Sequence, residues 1–306
     1  MTGRVAFVFP GQGSQRVGML DVLPASDRRA ELLAFASECA GLPLQQIAAD
    51  GPDATLADTR AAQPLLLLSG WAWGRALLES GVTPAAVAGH SLGEITALAF
   101  AGVLDITDAL RLVCVRSRLM AEAAERVPGT MAAVIGMDAA TIHDAVSGLS
   151  GVWVANDNAP GQIVLSGTHA GIESATRALS VAGARKIVPL SVAGPFHSPL
   201  MAPAAEAFAE VLAGTGFLDA EVPVFQNTTA APASDAAALK AHLTAQITSP
   251  VRWTETMAAF ATEGIGTLVE CGPGAVLSGL ARRVDGLDAL PAESAGIDRL
   301  REVVAS

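Results

Sequence analysis

The sequence AAVAGHSLGEITALAFA, residues 85–101, predicts a strand, a tight turn and a helix in direct succession. Residues 85–88 are apolar, GHSLG follows, and residues 95–101 continue as an apolar helical stretch. A G-x-S-x-G turn in this setting presents its serine between strand and helix. Ser91 is therefore a candidate nucleophile, because the Leu92 N–H and the helix N-terminus could stabilise an oxyanion beside it. The competing interpretation is a serine that only caps the helix.

The rest of the chain alternates short apolar runs with longer helical patterns, which predicts a parallel α/β sheet. Before the GHSLG turn, the predicted elements are a strand at 5–9 and helices around 32–36 and 65–78. Later in the chain, helices are predicted at 204–213, 236–246 and 254–262, and strands at 222–225 and 267–271.

A different order of elements separates these two parts of the chain. It runs strand, helix, strand, strand, helix, strand at residues 131–135, 139–146, 152–155, 163–166, 170–181 and 186–190. This is the split β-α-β order of a ferredoxin-like unit. The sequence thus predicts an α/β fold in which a large α/β-hydrolase-like domain with a central parallel sheet comprises residues 1–127 and 193–306. A small ferredoxin-like domain, residues 128–192, is inserted into it, and a cleft is expected between the two.

Composition and charge exclude several classes of protein. The 306 residues are 51% hydrophobic, which suffices for a large core and excludes a disordered chain. The net charge of −11 argues against a nucleic-acid partner, because phosphate binding requires clustered Lys and Arg. Two basic pairs, Arg185–Lys186 and Arg282–Arg283, are interpreted as solvated surface.

Neither a membrane segment nor an export signal is predicted. The apolar stretch at residues 65–68 is interrupted by Pro64, Gly70 and Arg75 before it reaches the length of a bilayer span. The first residues lead into an apolar strand without a basic leader, so a cytoplasmic location is expected.

Cysteine usage points to the same compartment. Cys39, Cys114 and Cys271 are odd in number and far apart, which favours reduced thiols over a disulfide framework or a metal site. We expect all three to fill the core, and we expect no metal.

A serine nucleophile needs a base within hydrogen-bond reach. Among five histidines, His197 is the best candidate, because it lies in SVAGPFHS, residues 191–198, a loop leading from the small domain toward the predicted cleft. His90 adjoins the serine, but its side chain leaves the turn in another direction, which favours a packing role. The others lie in or beside predicted helices, where solvated or half-buried positions are expected: His143, His169 and His242.

Four motifs in order carry a more specific resemblance. They are FPGQGSQ at 9–15, GHSLGE at 89–94, GPFHS at 194–198 and CGPG at 271–274. The first is not a dinucleotide-binding fingerprint, because Arg16 stands where that pattern requires glycine. Together the motifs resemble those of the malonyl-CoA:acyl-carrier-protein transacylases of fatty acid synthesis, and the resemblance runs nearly end to end.

The resemblance implies a role for each matching residue. In that family the serine of GHSLG is acylated by malonyl-CoA and the histidine after P-F is its base, which assigns these roles to Ser91 and His197. The glutamine of PGQGSQ lends its backbone N–H to the oxyanion hole, which implies that Gln12 acts with Leu92. The implied partners are malonyl-CoA, as a thioester substrate, and an acyl carrier protein, with neither metal nor redox cofactor.

The resemblance also implies how the substrate is held. Arg116 matches a family arginine on a helix ending in methionine and is the expected clamp for the malonyl carboxylate, which a planar guanidinium can hold bidentately. Arg118 is interpreted as a surface residue. Gln246 matches a glutamine whose backbone carbonyl orients the histidine. Phe196 is the residue that related polyketide acyltransferases combine with malonyl, because its ring would crowd a branched acyl group.

Other functions remain open at this point. Two alternatives have the same malonyl-transfer chemistry but belong to another pathway. They are the malonyl transferase of a malonate decarboxylase and a discrete acyltransferase of a polyketide synthase. A serine esterase is a third alternative, disfavoured by the absence of an HGGG-type loop, and a catalytically idle carrier-binding subunit is a fourth. Departures from the family pattern, Ala275 and the Arg282–Arg283 pair, concern carrier docking more than chemistry.

Overall fold

Two sheets organise the computed structural model, which describes residues 4–305. The first has the strand order β11-β10-β1-β2-β7-β8, and its strands are β1 (Arg4–Phe9), β2 (Ala86–Gly89), β7 (Val224–Phe225), β8 (Pro232–Ala233), β10 (Ile265–Glu270) and β11 (Asp288–Pro291). All neighbours are parallel except β7 and β8. The predicted central parallel sheet is confirmed.

The second sheet has the order β6-β3-β5-β4-β9, with β3 (Thr130–Ile135), β4 (Val152–Ala159), β5 (Gln162–Gly167), β6 (Lys186–Pro189) and β9 (Val251–Arg252). Its first four strands are antiparallel neighbours, in the arrangement of a ferredoxin-like unit, which confirms that prediction. The short strand β9 pairs in parallel with β4, so residues from far along the chain extend this sheet. The exact domain boundaries at residues 128 and 192 stay a prediction.

Helices cover both sheets. They are α1 (Arg29–Ala40), α2 (Leu44–Asp50), α3 (Asp53–Leu56), α4 (Thr59–Glu79), α5 (Leu92–Phe100), α6 (Ile106–Arg126), α7 (Ala139–Val146), α8 (His169–Val181), α9 (Ala202–Ala213), α10 (Ala236–Gln246), α11 (Trp253–Thr262), α12 (Val276–Ala281), α13 (Ala292–Ala295) and α14 (Ile297–Ala305). No helix among the described residues is both long enough and apolar enough to span a bilayer.

Strand β1 shows how the core is divided. Val5, Phe7 and Phe9 face the larger apolar cluster, which includes helices α4, α5 and α6. Ala6 and Val8 face a second cluster on the other side of the sheet. Because side chains alternate along a strand, a strand buried on both faces is apolar throughout.

Two expectations are corrected by the structure. Helix α4 begins at Thr59, before the predicted start at residue 65, because the Asp58 carboxylate caps it by accepting a hydrogen bond from the Arg60 N–H at 2.8 Å. Cys114 and Cys271 are buried as predicted, but Cys39 is exposed near the end of α1, so the expectation that all three cysteines fill the core is wrong.

Candidate active site

Ser91 occupies the turn between β2 and α5 in a conformation that few residues adopt. Its φ is 51° and its ψ is −108°. It stands at the N-cap position of α5, yet its side chain makes no capping hydrogen bond. A serine that served only as a cap would use its hydroxyl on the helix N–H groups. The Ser91 hydroxyl is instead directed to other side chains.

Two glycines make this turn possible. A Cβ on Gly89 would lie 1.8 Å from the carbonyl carbon of Gly93, and a Cβ on Gly93 would lie 2.0 Å from the Phe9 carbonyl oxygen. Both distances are far below van der Waals contact. The first glycine of the G-x-S-x-G pattern is therefore required by the closeness of the turn itself, and the second by its packing against β1.

The hydroxyl of Ser91 is hydrogen-bonded to His197. Ser91 Oγ lies 2.7 Å from His197 Nε2, and His197 Nδ1 lies 3.1 Å from the carbonyl oxygens of both Gln246 and Ser249. A carbonyl oxygen can only accept, so Nδ1 carries the proton and Nε2 accepts the hydrogen bond from the Ser91 hydroxyl. This arrangement presents a neutral imidazole to the serine, oriented by two backbone carbonyls.

The surroundings keep this imidazole neutral. Burial, together with the nearby Arg116 guanidinium and His90, lowers the pKa of His197 to about 3. Only 4% of its surface is exposed. The neutral form is the one that can accept a proton from Ser91.

Arg116, on α6, reaches the same hydroxyl from the other side. Its Nη2 donates to Ser91 Oγ at 3.1 Å and to Gln246 Oε1 at 2.9 Å, while Nη1 donates to Gln63 Oε1 at 2.8 Å. The side chain is fully buried. Burial lowers the pKa of the Arg116 guanidinium to about 10, so it remains cationic at neutral pH.

This buried cation has only neutral hydrogen-bond acceptors. None of the ion pairs found between residues 4 and 305 includes Arg116, and its Nε has no hydrogen-bond partner there. Arg118 differs, because it pairs with Glu122 at 2.9 Å on the exposed face of the same helix, as expected for a surface residue. The helix continues to Arg126 and does not end at Met120 as the family pattern suggested.

Gln12 and Leu92 both line the cavity in front of Ser91. The Gln12 side chain is anchored away from the serine, since Nε2 donates to the Ala57 carbonyl and Oε1 accepts from Thr59, each at 3.2 Å. In the described chain, neither the Gln12 N–H nor the Leu92 N–H donates to another residue. Both groups are thus available to a ligand.

The cavity measures about 230 Å³ and is lined by the loops that follow β1 and β2, by strands β3, β4 and β5 of the second sheet, and by residues of helices α4, α6 and α12. Its walls include Met120, Met131, Asn156, Asn158, Gln162, Val164, Phe196 and Leu280. Phe196, which directly precedes the histidine, is 6% exposed and lines the same cavity as Ser91. Such a volume suits a short acyl group on a thioester arm.

Several contacts at the site escaped the sequence analysis. Gln63 and Ser249 hold Arg116 and His197, and Asn227 holds the backbone of Ser91 at 2.7 Å. The sequence offered a signal for Asn227, because it lies two residues after the predicted strand 222–225, and functional groups collect at the carboxyl ends of parallel strands. Gln63 is a polar residue at the start of an apolar helical stretch, a weaker signal.

Among the described residues, none of the other histidines is hydrogen-bonded to Ser91, His197 or Arg116, although His90 lines the same cavity. His90 is packed against Trp253, with ring centroids 5.6 Å apart, and its Nε2 lies 2.8 Å from Asn158 Oδ1, which agrees with the predicted packing role. His143 and His169 are exposed. Within residues 4–305 no cluster of three His, Cys, Asp or Glu side chains is arranged to hold a metal ion.

Comparisons with known proteins identify the family of the chain. A family model described as an acyl transferase domain matches residues 6–297. A malonyl CoA-acyl carrier protein transacylase of Bacillus subtilis is 42% identical over 290 residues, which are 92% of this chain and 90% of the relative. A crystal structure of a malonyl-CoA:acyl carrier protein transacylase from Xanthomonas oryzae matches with a TM-score of 0.89 and 42% identity, covering 95% of each chain.

A further structural match includes a partner. A malonyl-transacylase in complex with a type II polyketide synthase acyl-carrier protein has a TM-score of 0.90 and 39% identity, covering 96% of this chain and 99% of that chain. The resemblance predicted from the four motifs is confirmed. The chain therefore belongs to the acyl transferase family.

Proposed function

We propose that this chain transfers a malonyl group from malonyl-CoA to the phosphopantetheine thiol of an acyl carrier protein, through an ester on Ser91. The observation that carries the proposal is the buried Arg116 guanidinium, 3.1 Å from Ser91 Oγ, which forms no ion pair among the described residues and feels the buried Glu94 carboxyl only as a nearby charge. A buried charge is stable only when it is paired or well hydrogen-bonded. A free carboxylate on the acyl group supplies the missing partner.

The first half-reaction uses the Ser91–His197 hydrogen bond. His197 Nε2 takes the hydroxyl proton while Ser91 Oγ attacks the thioester carbonyl carbon. The N–H groups of Gln12 and Leu92 stabilise the resulting oxyanion. The intermediate then collapses, the C–S bond breaks, and the CoA sulfur leaves with the proton held by His197.

The second half-reaction runs the same steps in reverse. The carrier thiol gives its proton to His197 Nε2 as its sulfur attacks the carbonyl carbon of the Ser91 ester. The bond from that carbon to Ser91 Oγ then breaks, Oγ regains the proton from His197, and the malonyl group leaves as a thioester of the carrier. The Gln246 and Ser249 carbonyls accept the Nδ1–H throughout, so they take the place of the acidic residue in a Ser-His-Asp triad. No other acid or base is required.

Substrate choice rests on Arg116 and Phe196. A malonyl group differs from an acetyl group by a carboxylate, which must leave water to enter the cavity, and a guanidinium compensates that loss bidentately. Phe196 bounds the space where a C2 branch would lie. One methyl group changes the discrimination by only about 1–3 kcal/mol, so we propose a preference for malonyl over methylmalonyl and not an absolute exclusion.

The relatives support the thioester substrates and leave the pathway to experiment. Proteins named malonyl CoA-acyl carrier protein transacylase favour fatty acid synthesis. The relative bound to a polyketide synthase carrier favours the second candidate, an acyltransferase of a polyketide synthase. Offering purified carrier proteins of both kinds at equal concentration distinguishes the two, because the native carrier is expected to have the higher kcat/KM.

Neither a metal nor a redox cofactor is required by this scheme, since Ser91, His197 and two N–H groups supply the nucleophile, the base and the oxyanion donors. Turnover is expected to be unchanged after dialysis against EDTA. A loss restored by a divalent cation would contradict the scheme. We also propose a cytoplasmic location, supported by the CoA substrate and by three free thiols, and cell fractionation tests it.

The direct test of the function combines the wild-type chain with a Ser91→Ala variant. Each is mixed with malonyl-CoA and a holo carrier protein, and the malonylated carrier is measured by intact-protein mass spectrometry. The wild-type chain is expected to turn over many equivalents and the variant none, with thermal unfolding showing that both are folded. Malonyl transfer by the folded variant would disprove the assignment of Ser91.

A further inference from the structure

The backbone on both sides of Ser91 is held by one side chain. Asn227 Oδ1 accepts a hydrogen bond from the Ser91 N–H at 2.7 Å, and Asn227 Nδ2 donates to the Gly89 carbonyl at 2.6 Å. Asn227 is 1% exposed and follows the end of β7, the strand beside β2. The side-chain amide of Asn227 therefore links the backbone of Gly89, at the end of β2, to the backbone of Ser91.

Asn227 is itself held by a buried carboxyl. Glu94 Oε2 accepts a hydrogen bond from the Asn227 N–H at 2.6 Å, and Glu94 is fully buried. Glu94 lies on the first turn of α5, where its own N–H donates to the Ser91 carbonyl at 3.1 Å. Ser91, Glu94 and Asn227 thus form a closed ring of hydrogen bonds.

A third contact completes the restraint. Gln246 Nε2 donates to the Ser91 carbonyl at 2.9 Å. Both backbone polar groups of Ser91 are therefore fixed while the residue remains at a positive φ of 51°. Such a conformation persists only where the surroundings impose it. Without the ring, the backbone would relax and carry the hydroxyl away from His197.

We propose that Glu94 and Asn227 are positioning residues for acyl transfer, which hold the Ser91 turn so that its hydroxyl meets His197 and the Leu92 N–H faces the cavity. The inference rests on the proposed function only in taking Ser91 as the nucleophile. Neither residue touches the reacting atoms. Their effect is expected on the rate of acylation and not on the affinity for malonyl-CoA, because neither lines the cavity.

Burial of Glu94 supports the assignment. Glu94 is fully buried, so the folded chain keeps an ionisable group where it is poorly solvated, and burial raises the pKa of its carboxyl to about 7. An apolar side chain would fill the position without that cost, but it could not accept the Asn227 N–H. The hydrogen bond to Asn227 is thus the feature that a glutamine would retain and an alanine would lose.

The test compares Asn227→Ala, Asn227→Asp, Glu94→Ala and Glu94→Gln in single-turnover acylation by malonyl-CoA. Asn227→Ala and Glu94→Ala are expected to lower the acylation rate constant by about 10- to 100-fold, with the Kd for malonyl-CoA within about twofold of wild type. Asn227→Asp is expected to lose rate too, because its second oxygen would face the Gly89 carbonyl oxygen. Glu94→Gln is expected to retain most of the rate.

Two buried polar residues outside the ring serve as matched controls. Gln226, the neighbour of Asn227, is fully buried, and its side-chain Nε2 donates to the Val224 carbonyl at 3.1 Å. Glu270 is also fully buried and accepts from the N–H groups of Leu277 and Ser278, at 3.0 and 2.7 Å. Gln226→Ala and Glu270→Ala are expected to lower the melting temperature without a comparable loss of acylation rate.

A second reagent separates this inference from the proposed function. A fluorophosphonate, which phosphonylates activated serines, is expected to label wild-type Ser91 at least tenfold faster than the Asn227→Ala variant. If the wild type forms no malonyl ester but shows this dependence, the proposed function fails and the inference stands. The inference would be overturned if Asn227→Ala and Glu94→Ala were labelled and acylated at the wild-type rates. It would also be overturned if the control variants lost as much rate as these two. A Glu94→Gln variant as slow as Glu94→Ala would overturn it too.

Discussion

Ser91 and His197, 106 positions apart in the chain, are joined by a hydrogen bond of 2.7 Å between Oγ and Nε2. Both residues have positive φ angles, 51° and 55°. Conformations of this kind cost about 1–3 kcal/mol each in residues other than glycine. The two groups proposed to perform the chemistry are thus held in backbone geometries that the surrounding fold imposes.

Replacing Ser91 by glycine is expected to relieve this strain. Glycine adopts a positive φ without steric cost, whereas alanine does not, and both substitutions remove the hydroxyl. We expect Ser91→Gly to be more stable than Ser91→Ala by about 1 kcal/mol, measured by urea unfolding. Equal stability of the two variants would show that the conformation at Ser91 stores no strain.

The pH dependence should reveal the lowered pKa of His197. Burial and the neighbouring Arg116 favour the neutral imidazole of His197. Its Nε2 can therefore still accept a proton well below pH 6.5, the ordinary pKa of histidine. The Glu94→Gln variant is used because it lacks the buried Glu94 carboxyl, which would otherwise titrate in the same pH range. We expect kcat/KM of this variant to stay level from pH 8 to about pH 5. A decline centred at pH 6.5 would contradict the neutral, buried base.

Glu94 is expected to make stability depend on pH. Its folded pKa of about 7 exceeds the ordinary value of 4.5, so between these values the native state binds more protons than the unfolded state. Stability attributable to Glu94 is complete below pH 4.5 and declines as the pH rises to 7, by about 3 kcal/mol at most. Urea unfolding of wild type and Glu94→Gln at pH 5 and pH 7.5 measures the difference. A difference that does not change with pH would refute it.

Local motifs in the sequence predict the structure best where they fix the geometry by themselves. The GHSLG turn predicted a strand, a serine turn and a helix, and these are found at β2, Ser91 and α5. The ferredoxin-like order of residues 131–190 was also predicted, because hydrophobic periodicity is a local property. Those predictions are confirmed by the strand pairings of both sheets.

Predictions failed or were missing where distant parts of the chain decide the contact. Strand β9 is two residues long and is a strand only because it pairs with β4. The contacts of Asn227 and Ser249 depend on how their loops approach the GHSLG turn and His197. Cys39 was expected inside because cysteines are usually buried, but its helix turns it to the surface. Single-residue positions of this kind are set by tertiary packing.

Glycine substitutions test the steric basis of the motif. A Cβ on Gly93 would lie 2.0 Å from the Phe9 carbonyl oxygen, whereas one on Gly279, in helix α12, meets no atom within 4 Å. We expect Gly93→Ala to lose about 2–3 kcal/mol of stability, as overpacking does. Gly279→Ala is expected to be neutral or to gain up to about 1 kcal/mol. Equal melting temperatures for the two variants would argue against the close packing of the turn.

In the proposed mechanism, Arg116 selects a carboxylated acyl group for Ser91. Intact-protein mass spectrometry after rapid mixing with malonyl-CoA or acetyl-CoA measures this directly, with Arg116→Ala as the variant and Arg118→Ala, on the exposed face of the same helix, as the control. We expect Arg116→Ala to slow malonyl ester formation by about 100-fold, because removing one partner of a buried charge pair costs about 2–5 kcal/mol. The acetyl ester should form slowly in all three proteins, and Arg118→Ala should match wild type. Acetyl labelling of the wild-type chain as fast as malonyl labelling, or a malonyl rate that Arg116→Ala leaves unchanged, would contradict the account.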